Sequence, residues 1–215
     1  AIVIGQGSDR LSSISALKFY DTFAQDAYDR NFELPEPPPQ PVVEASGLDG
    51  QVVLAWNSEA ENYRDGSYRF EGYNLYQGES IAGPWERVDT YDIKNNVNII
   101  FDEEFDLETG VVIDKPVQFG SDKGLKQYIS LTQDFIDGGK LINAKPYYYA
   151  VTAYGYSRDA RPRTLESPIA AIEVIPQSPT LGTDAGTASA GPEITYRRND
   201  ETKAPSTDSV QVTVV

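Results

Sequence analysis

The chain has 215 residues, with 18 Lys and Arg against 33 Asp and Glu, and a net charge of −15. Such a polyanion repels phosphate groups, so we expect no nucleic-acid partner and no anionic membrane surface as a partner. The lack of Cys, His and Met excludes disulfides, thiol nucleophiles, Cys/His zinc sites and histidine-based catalytic triads. No apolar run reaches about 18 residues, so we predict no membrane span.

The N-terminal segment predicts a strand followed by a helix. Residues 1–5, AIVIG, form an apolar run that ends at glycine and is typical of a short strand. Apolar residues then recur at spacings of three and four, which predicts an amphipathic helix over about 12–31 with Ser12 or Ser13 as the N-cap. Its apolar stripe has two interpretations: docking on another domain, or packing on the chain's own sheets.

A proline-rich segment, ELPEPPPQP, separates the helix from the rest of the chain. Its prolines favour an extended polyproline conformation, which indicates a semi-rigid linker. We therefore divide the chain into an N-terminal strand and helix, a proline-rich linker, a sandwich domain, a flexible linker, and a C-terminal strand segment that either opens another domain or serves in assembly. The boundaries of these five segments are 1–34, 35–41, 42–176, 177–191 and 192–215.

After residue 41 the apolar period becomes two, which is typical of β-strands. Val52, Leu54 and Trp56 in QVVLAWN, for example, fall on one face of a predicted strand. Seven short runs of this kind, separated by turn residues, predict an all-β sandwich. Residues 92–123 interrupt the series, and we interpret them as an inserted hairpin around an acidic turn.

Four strings in this region, PPPQPVVEASGLDGQVVLAWN, FEGYNLYQGES, LINAKPYYYAVTAYG and ESPIAAIEVIP, together resemble a fibronectin type III domain over residues 38–176. The resemblance rests on a tryptophan in the second strand, Trp56, and on the spacing from Leu141 to Tyr147. It implies that Tyr147 is the tyrosine of the domain's corner, with its hydroxyl bonded to backbone near the preceding turn. The resemblance implies a fibronectin-III/Ig-like β-sandwich. Together with the inserted hairpin, the N-terminal amphipathic helix and the C-terminal extension strand that the residue patterns predict, the expected fold is all-β.

The helix and proline linker that lead into this domain resemble modules of large secreted or cell-surface proteins of Bacteroidota-type bacteria. That resemblance implies an extracellular or cell-surface location and implies no reaction. The sequence offers no catalytic motif. Paired carboxylates occur, but any chain with 33 acids has them. The string GQGSDR lacks the third glycine of a dinucleotide-binding fingerprint, and no P-loop is present. We expect a protein without enzymatic activity.

The string NAKPYYYAVTAYGYS carries the densest tyrosine cluster of the chain. Strand alternation puts Tyr147 and Tyr149 on the core face and Tyr148 and Tyr154 on the other, where Tyr76 of a neighbouring strand joins them. Flat rings with a hydroxyl suit binding to a glycan or a protein. The other interpretation is cross-strand packing under the helix or the insertion.

The acidic turn FDEEFDLETG is the candidate metal site. Its hard oxygen ligands, Asp102, Glu104, Asp106 and Glu108, are of the kind that calcium prefers. The spacing and central glycine of an EF-hand loop are missing, and a solvated acidic loop is the other interpretation. Apart from calcium, the sequence predicts no cofactor.

The first and last strands suggest a role in assembly. The chain opens with AIVI and ends with VQVTVV, and unpaired terminal strands serve β-augmentation between subunits. We therefore expect a structural or interaction module that binds protein partners or its own copies. The alternative is an accessory module of a secreted polysaccharide-degrading enzyme, which would bind glycan or protein.

Overall fold

The computed structural model describes residues 2–178, 194–198 and 210–214. They belong to two units, Ala1–Ser178 and Pro179–Val215. In the described residues of the first unit, one α-helix and eleven strands are present, and every strand pairing is antiparallel. The predicted all-β class is confirmed at this level.

The helix α1 spans Arg10–Asp29, and a short 3-10 helix spans Glu59–Asn62. The strands in chain order are β1 (Val43–Leu48), β2 (Gln51–Trp56), β3 (Arg64–Asp65), β4 (Tyr68–Gly78), β5 (Trp85–Asp92), β6 (Ile99–Asp106), β7 (Val111–Phe119), β8 (Tyr128–Leu131), β9 (Tyr147–Tyr156), β10 (Thr164–Glu166) and β11 (Ile172–Val174).

The strands form three sheets. The first has the order β1-β2-β8. The second has the order β10-β9-β4-β3, with β11 also on β9 and β5 also on β4. The third is the separate hairpin β6-β7, which lies within the insertion predicted for residues 92–123. Most of the predicted acidic turn, residues 101–106, belongs to strand β6, and only residues 107–110 form the turn.

The first two sheets share one hydrophobic core. Along β2, inward residues alternate with half-buried ones, as the period of two predicts, and Trp56 ends the row. The Trp56 ring lies 5.8 Å from the Tyr73 ring and stacks 6.0 Å from the Tyr91 ring. Aromatic pairs at these separations add to the free energy gained from burial. The buried members from both sheets are Val52, Leu54, Trp56, Phe70, Tyr73, Leu75, Tyr91, Leu131, Tyr147, Tyr149, Val151, Ala153 and Val174.

The hydrogen bond expected between the Tyr147 hydroxyl and the backbone before β9 is present. The backbone N–H of Ile142 donates to the Tyr147 hydroxyl oxygen over 2.9 Å. Tyr147 and Leu141 are both buried. This bond ties the start of β9 to the loop before it, so one side chain fixes how the chain enters the core.

Two predictions about the N-terminus are wrong in detail. No strand forms in residues 2–7, because this segment lies against α1 and has no strand to pair with. At Gly5, a side chain's Cβ would stand 2.4 Å from the backbone nitrogen of Leu17, so glycine permits this close approach. The N-cap is Asp9, not Ser12 or Ser13: its carboxylate accepts the backbone N–H of Ser12 over 2.8 Å, and the Ser12 hydroxyl accepts the Asp9 N–H in return.

The second unit contains a hairpin of β12 (Ile194–Arg198) and β13 (Val210–Val214). Its antiparallel register sets Ile194 opposite Val214 and Arg198 opposite Val210. The predicted C-terminal strand therefore exists, and its partner here is a strand of its own unit. Most of the predicted linker 177–191, from residue 179 onward, lies outside the described residues.

Candidate interaction surface

The three candidate tyrosines do not form one exposed row. In the β4–β9 register, Tyr76 pairs with Ala150, while Tyr148 and Tyr154 pair with glycines. Tyr154 is only 1% exposed. Burial raises its pKa, with the nearby carboxylates adding to that shift. Tyr154 therefore does not lie on the exposed face that the prediction assumed, and Gln118 of the insertion lies beside it.

Tyr76 is half-buried, and its hydroxyl is already engaged. It donates to Glu166 Oε1 over 2.7 Å, and the same carboxylate accepts from Asn74 Nδ2 over 3.0 Å and from the Thr152 hydroxyl. Burial raises the pKa of Tyr76, and Glu166 raises it further. The Tyr76 hydroxyl therefore serves the sheet rather than standing free for a sugar ring.

A polar network fastens the inserted hairpin to the outer face of the second sheet. Asn74 is fully buried, and its Oδ1 accepts from Gln118 Nε2 over 2.7 Å and from the Thr90 hydroxyl over 2.9 Å. Arg87 donates to Gln118 Oε1 over 2.9 Å. Because these buried groups have partners, the network specifies where the hairpin lies. This agrees with the interpretation that the tyrosine face packs under the insertion.

The candidate metal ligands lie along the hairpin, each with its own contact. Asp102 accepts the backbone N–H of Arg163 over 2.8 Å, which joins β6 to the loop before β10. Glu104 forms an ion pair of 2.7 Å with Lys115 on the opposite strand, and both side chains are exposed. Exposed pairs of this kind contribute little to stability, about 0–1 kcal/mol.

Asp106 and Glu108 shape the turn itself. Asp106 accepts the Thr109 hydroxyl over 2.6 Å and the Glu108 N–H over 3.0 Å, and these bonds lower the Asp106 pKa, the Thr109 hydroxyl most. Within the described residues, no three Asp, Glu, Cys or His side chains form a group able to hold a metal ion. The four predicted ligands are thus not brought together.

Tyr148 borders a polar pocket of about 300 Å³ beside the loop before β9. There the Lys145 ammonium lies 3.0 Å from Asp134 and 2.7 Å from Asp137. The Asp134 carboxylate is almost completely buried and also accepts from Gln77 Nε2 over 2.8 Å. Lys145, Asp134 and Asp137 thus pair with one another, and these bonds hold the loop before β9 against β4.

The helix leaves its apolar stripe uncovered. Of its residues only Ser12 and Ala16 are buried. The helix approaches the hairpin at its tip, where a Cβ at Gly110 would stand 2.7 Å from the Ser12 Cβ. The stripe therefore does not pack on the two core sheets. The exposed apolar residues of helix and hairpin include Leu11, Ile14, Leu17, Tyr20, Leu107, Val111, Val112 and Ile113.

A groove of about 650 Å³ lies where the N-terminal segment, the helix and the hairpin turn meet. It is lined by Ile4, Gln6, Gly7, Ser8, Tyr20 and Leu107, and we call it the apolar groove. Its apolar side chains are open to solvent: Ile4 is 82%, Tyr20 40% and Leu107 59% exposed. The sequence indicated the helical half of this surface through the stripe, whereas the groove depends on contacts between distant segments.

Comparison of the chain with protein-family models, curated proteins and solved structures finds no significant match. As for membranes, none of the helices in the described ranges has both the length and the hydropathy needed to cross one.

Proposed function

We propose that this chain is a non-catalytic, extracellular interaction module that binds a protein partner through the apolar groove. The observation that carries the proposal is the exposure of apolar side chains on three adjoining segments: the N-terminal segment, α1 and the hairpin. Exposed apolar side chains that border one groove, here Ile4, Tyr20 and Leu107 beside Gln6, Gly7 and Ser8, are typical of protein-interaction sites. Tyrosine, which provides a large rigid contact at low entropy cost, sits within it as Tyr20.

The scaffold that we propose is a fibronectin-III-like sandwich. Its support is the division of the strands, with β1, β2 and β8 in one sheet and β3, β4, β5, β9, β10 and β11 in the other, around one core. The Tyr147 corner adds a second feature of that fold. Secretion is proposed on the resemblance to exported bacterial modules.

Charge favours one kind of partner. Residues 1–34 carry five acids and three bases, and residues 99–119 carry six acids and one base, which gives these two segments a net charge of −7. Two copies of such a surface repel each other, whereas an apolar protein surface with a rim of Lys and Arg is attracted. We therefore propose a basic-rimmed protein partner.

Selection from a random peptide library displayed on phage tests this proposal. The wild-type chain should enrich peptides that combine aliphatic or aromatic residues with Lys or Arg. A Tyr20→Glu/Leu107→Glu variant should lose that enrichment, because two charges enter the groove. Ile81→Glu is the matched control, since Ile81 is 62% exposed and lies far from the groove in sequence. Equal enrichment on all three proteins would overturn the proposal.

Assembly through the last strand is a second proposal, and the hairpin of β12 and β13 favours it. A two-stranded hairpin is only marginally stable by itself, so a third strand or sheet would stabilise it. Deleting residues 208–215 should then reduce any concentration-dependent oligomer seen by light scattering. An oligomer that is unchanged by the deletion would contradict this proposal, and it would not bear on the proposal that the apolar groove binds a partner.

A further inference from the structure

Two carboxylates are buried where the inserted hairpin leaves the second sheet. Glu71 is 4% exposed and Asp92 is 0% exposed. Their backbone positions are neighbours on paired strands. Asp92 of β5 pairs with Gly72 of β4, and the Ile93 N–H donates to the Glu71 carbonyl over 2.9 Å. Neither belongs to the candidate sites that the sequence predicted.

The contacts of this pair tie both ends of the insertion to the sheet. One oxygen of Asp92, Oδ1, accepts the backbone N–H groups of Ser121 and Asp122 over 2.9 and 2.8 Å. Glu71 Oε1 accepts from Asn95 Nδ2 over 2.7 Å. All of these donors are neutral.

Among the described residues, neither Glu71 nor Asp92 has a Lys or Arg partner within ion-pair distance. Burial raises the pKa of Glu71 to about 6; the Asn95 amide lowers it somewhat, and the neighbouring charges of Asp92 and Asp122 raise it. A buried carboxylate without a counter-charge is costly, and proteins normally pair it, protonate it or use it to coordinate a metal.

The second oxygen of Asp92 points to a ligand. Asp92 Oδ2 is buried and has no hydrogen-bond partner. It is directed at Gly120, where a Cβ would stand 2.1 Å from Oδ2 and 2.9 Å from the Val97 carbonyl oxygen. The unpartnered Asp92 oxygen and the Val97 carbonyl oxygen thus both lie against Gly120, and a cation bound to that carboxylate oxygen would stabilise its buried charge.

We propose that Glu71 and Asp92 bind a divalent cation, calcium in particular, at the base of the hairpin. Calcium takes six to eight oxygen ligands in flexible geometry and accepts backbone carbonyls and water beside carboxylates. Asp92 Oδ2, the Glu71 carboxylate and the Val97 carbonyl are the protein ligands. No group of three metal-binding side chains is found among the described residues, so the site that we propose has two carboxylate side chains and would take its other oxygen ligands from backbone and water. Magnesium, which demands near-octahedral geometry at shorter distances, fits less well.

Calcium would neutralise the buried charge and hold the two ends of the insertion to β4 and β5. The bound ion should therefore stabilise the first unit, because a ligand that binds only the folded state shifts the unfolding equilibrium. Extracellular calcium sites bind with dissociation constants of about 10⁻⁴–10⁻³ M. We expect a value in this range.

The test uses the full chain, freed of metal with a chelator and then titrated with calcium chloride. Thermal unfolding followed by circular dichroism should shift upward by several degrees at millimolar calcium. Glu71→Gln should weaken calcium binding at least tenfold by calorimetry, and Asp92→Asn should abolish it. The matched control, Asp102→Asn/Asp106→Asn, changes two acids of the hairpin turn and should bind as the wild type does.

A second measurement tests the site even if the Asp92→Asn variant does not fold. Terbium, which replaces calcium and luminesces when tyrosine transfers energy to it, should report the site through Tyr154, whose pKa both carboxylates raise. Tyr154→Phe should reduce that luminescence and leave calcium affinity unchanged. The proposal is overturned if calcium gives no shift, or if the shift persists in Glu71→Gln. It is also overturned if lowering the pH stabilises the chelated protein while calcium has no effect, because a proton then neutralises the pair.

Discussion

Tyr147 shows how much one side chain contributes at the scale of a residue. Its ring fills the core while its hydroxyl accepts the Ile142 N–H. Tyr148, the next residue, lies on the other face and is only half-buried. Alternation within the strand thus gives adjacent tyrosines different roles, as the period of two requires.

The corner bond should be measurable by removing one oxygen. Tyr147→Phe keeps the ring and leaves the Ile142 N–H without its acceptor, which should lower the free energy of unfolding by about 1–3 kcal/mol. Tyr148→Phe is the control and should change it by less than about 0.5 kcal/mol. Urea denaturation measures both values. Similar losses in the two variants would contradict the corner assignment.

Asp134 makes the loop before β9 sensitive to acid. Burial raises the pKa of Asp134, but hydrogen bonds from Lys145, from the backbone N–H groups of Asp137 and Ile136 and from Gln77 outweigh burial, and the net pKa is lowered. A carboxyl with a lowered folded pKa stabilises the protein above its unfolded pKa of about 3.9. That contribution is lost as the pH falls through the lowered folded pKa.

We therefore expect Asp134→Asn to be less stable than the wild type at neutral pH, with the difference shrinking as the pH falls below about 4. Urea denaturation at a series of pH values measures this difference. Asp137→Asn is the control, because Asp137 is exposed and should cost less. A difference that stays constant with pH would show that the ionised carboxylate is not the cause.

At the scale of elements, the helix is joined to the molecule by few contacts. Asp9 caps its first turn, and glycines at positions 5, 7 and 110 allow the close approach of neighbouring backbone. Most of its side chains remain in solvent. Elements with so few buried contacts open locally without global unfolding.

Removing the cap should therefore act locally. Asp9→Ala takes away the acceptor for the first N–H groups of the helix, so hydrogen exchange at residues 11–13 should rise several-fold. Exchange in β2 and β9 should not change. Ser8→Ala is a suitable control, because Ser8 precedes the cap and does not accept these bonds. Faster exchange throughout the chain would instead make the helix part of the cooperative core.

The sequence predicted individual strands and the helix better than it predicted which elements pack against each other. The period of two and the Leu141–Tyr147 spacing identified the strands and the corner because both are local patterns. The apolar run at residues 1–5 has the pattern of a strand. A strand also needs a neighbouring strand to pair with, and the local sequence does not show whether one is present. Likewise, alternation placed Tyr154 on the outer face, but only the fold reveals that it is buried beside Gln118 of the insertion.

The buried acids illustrate the same limit. Glu71 and Asp92 are 21 positions apart in the sequence, and nothing local marks them among the other acids of the chain. The acidic turn attracted the metal prediction because its carboxylates are dense in sequence, whereas along an extended hairpin they lie spread out. Density in sequence is thus a poor guide to density in space within a strand.

At the scale of the whole molecule, the chain divides after Ser178. The first unit has its own core of buried residues from two sheets, and the second begins at Pro179. A fragment that ends at residue 178 should therefore fold alone and melt cooperatively within a few degrees of the full chain, as calorimetry would measure. If this fragment failed to fold, the result would show that the first unit needs the C-terminal residues for its stability.

The central claim is that the apolar groove binds protein. The direct measurement is isothermal titration of a library-selected peptide into the wild type, Tyr20→Glu/Leu107→Glu and Ile81→Glu. We predict saturable binding by the wild type and by Ile81→Glu, and at least tenfold weaker binding by the groove variant. Added salt should weaken the binding, because residues 1–34 and 99–119, which supply the groove, have a net negative charge. Equal affinity for all three proteins would contradict the account.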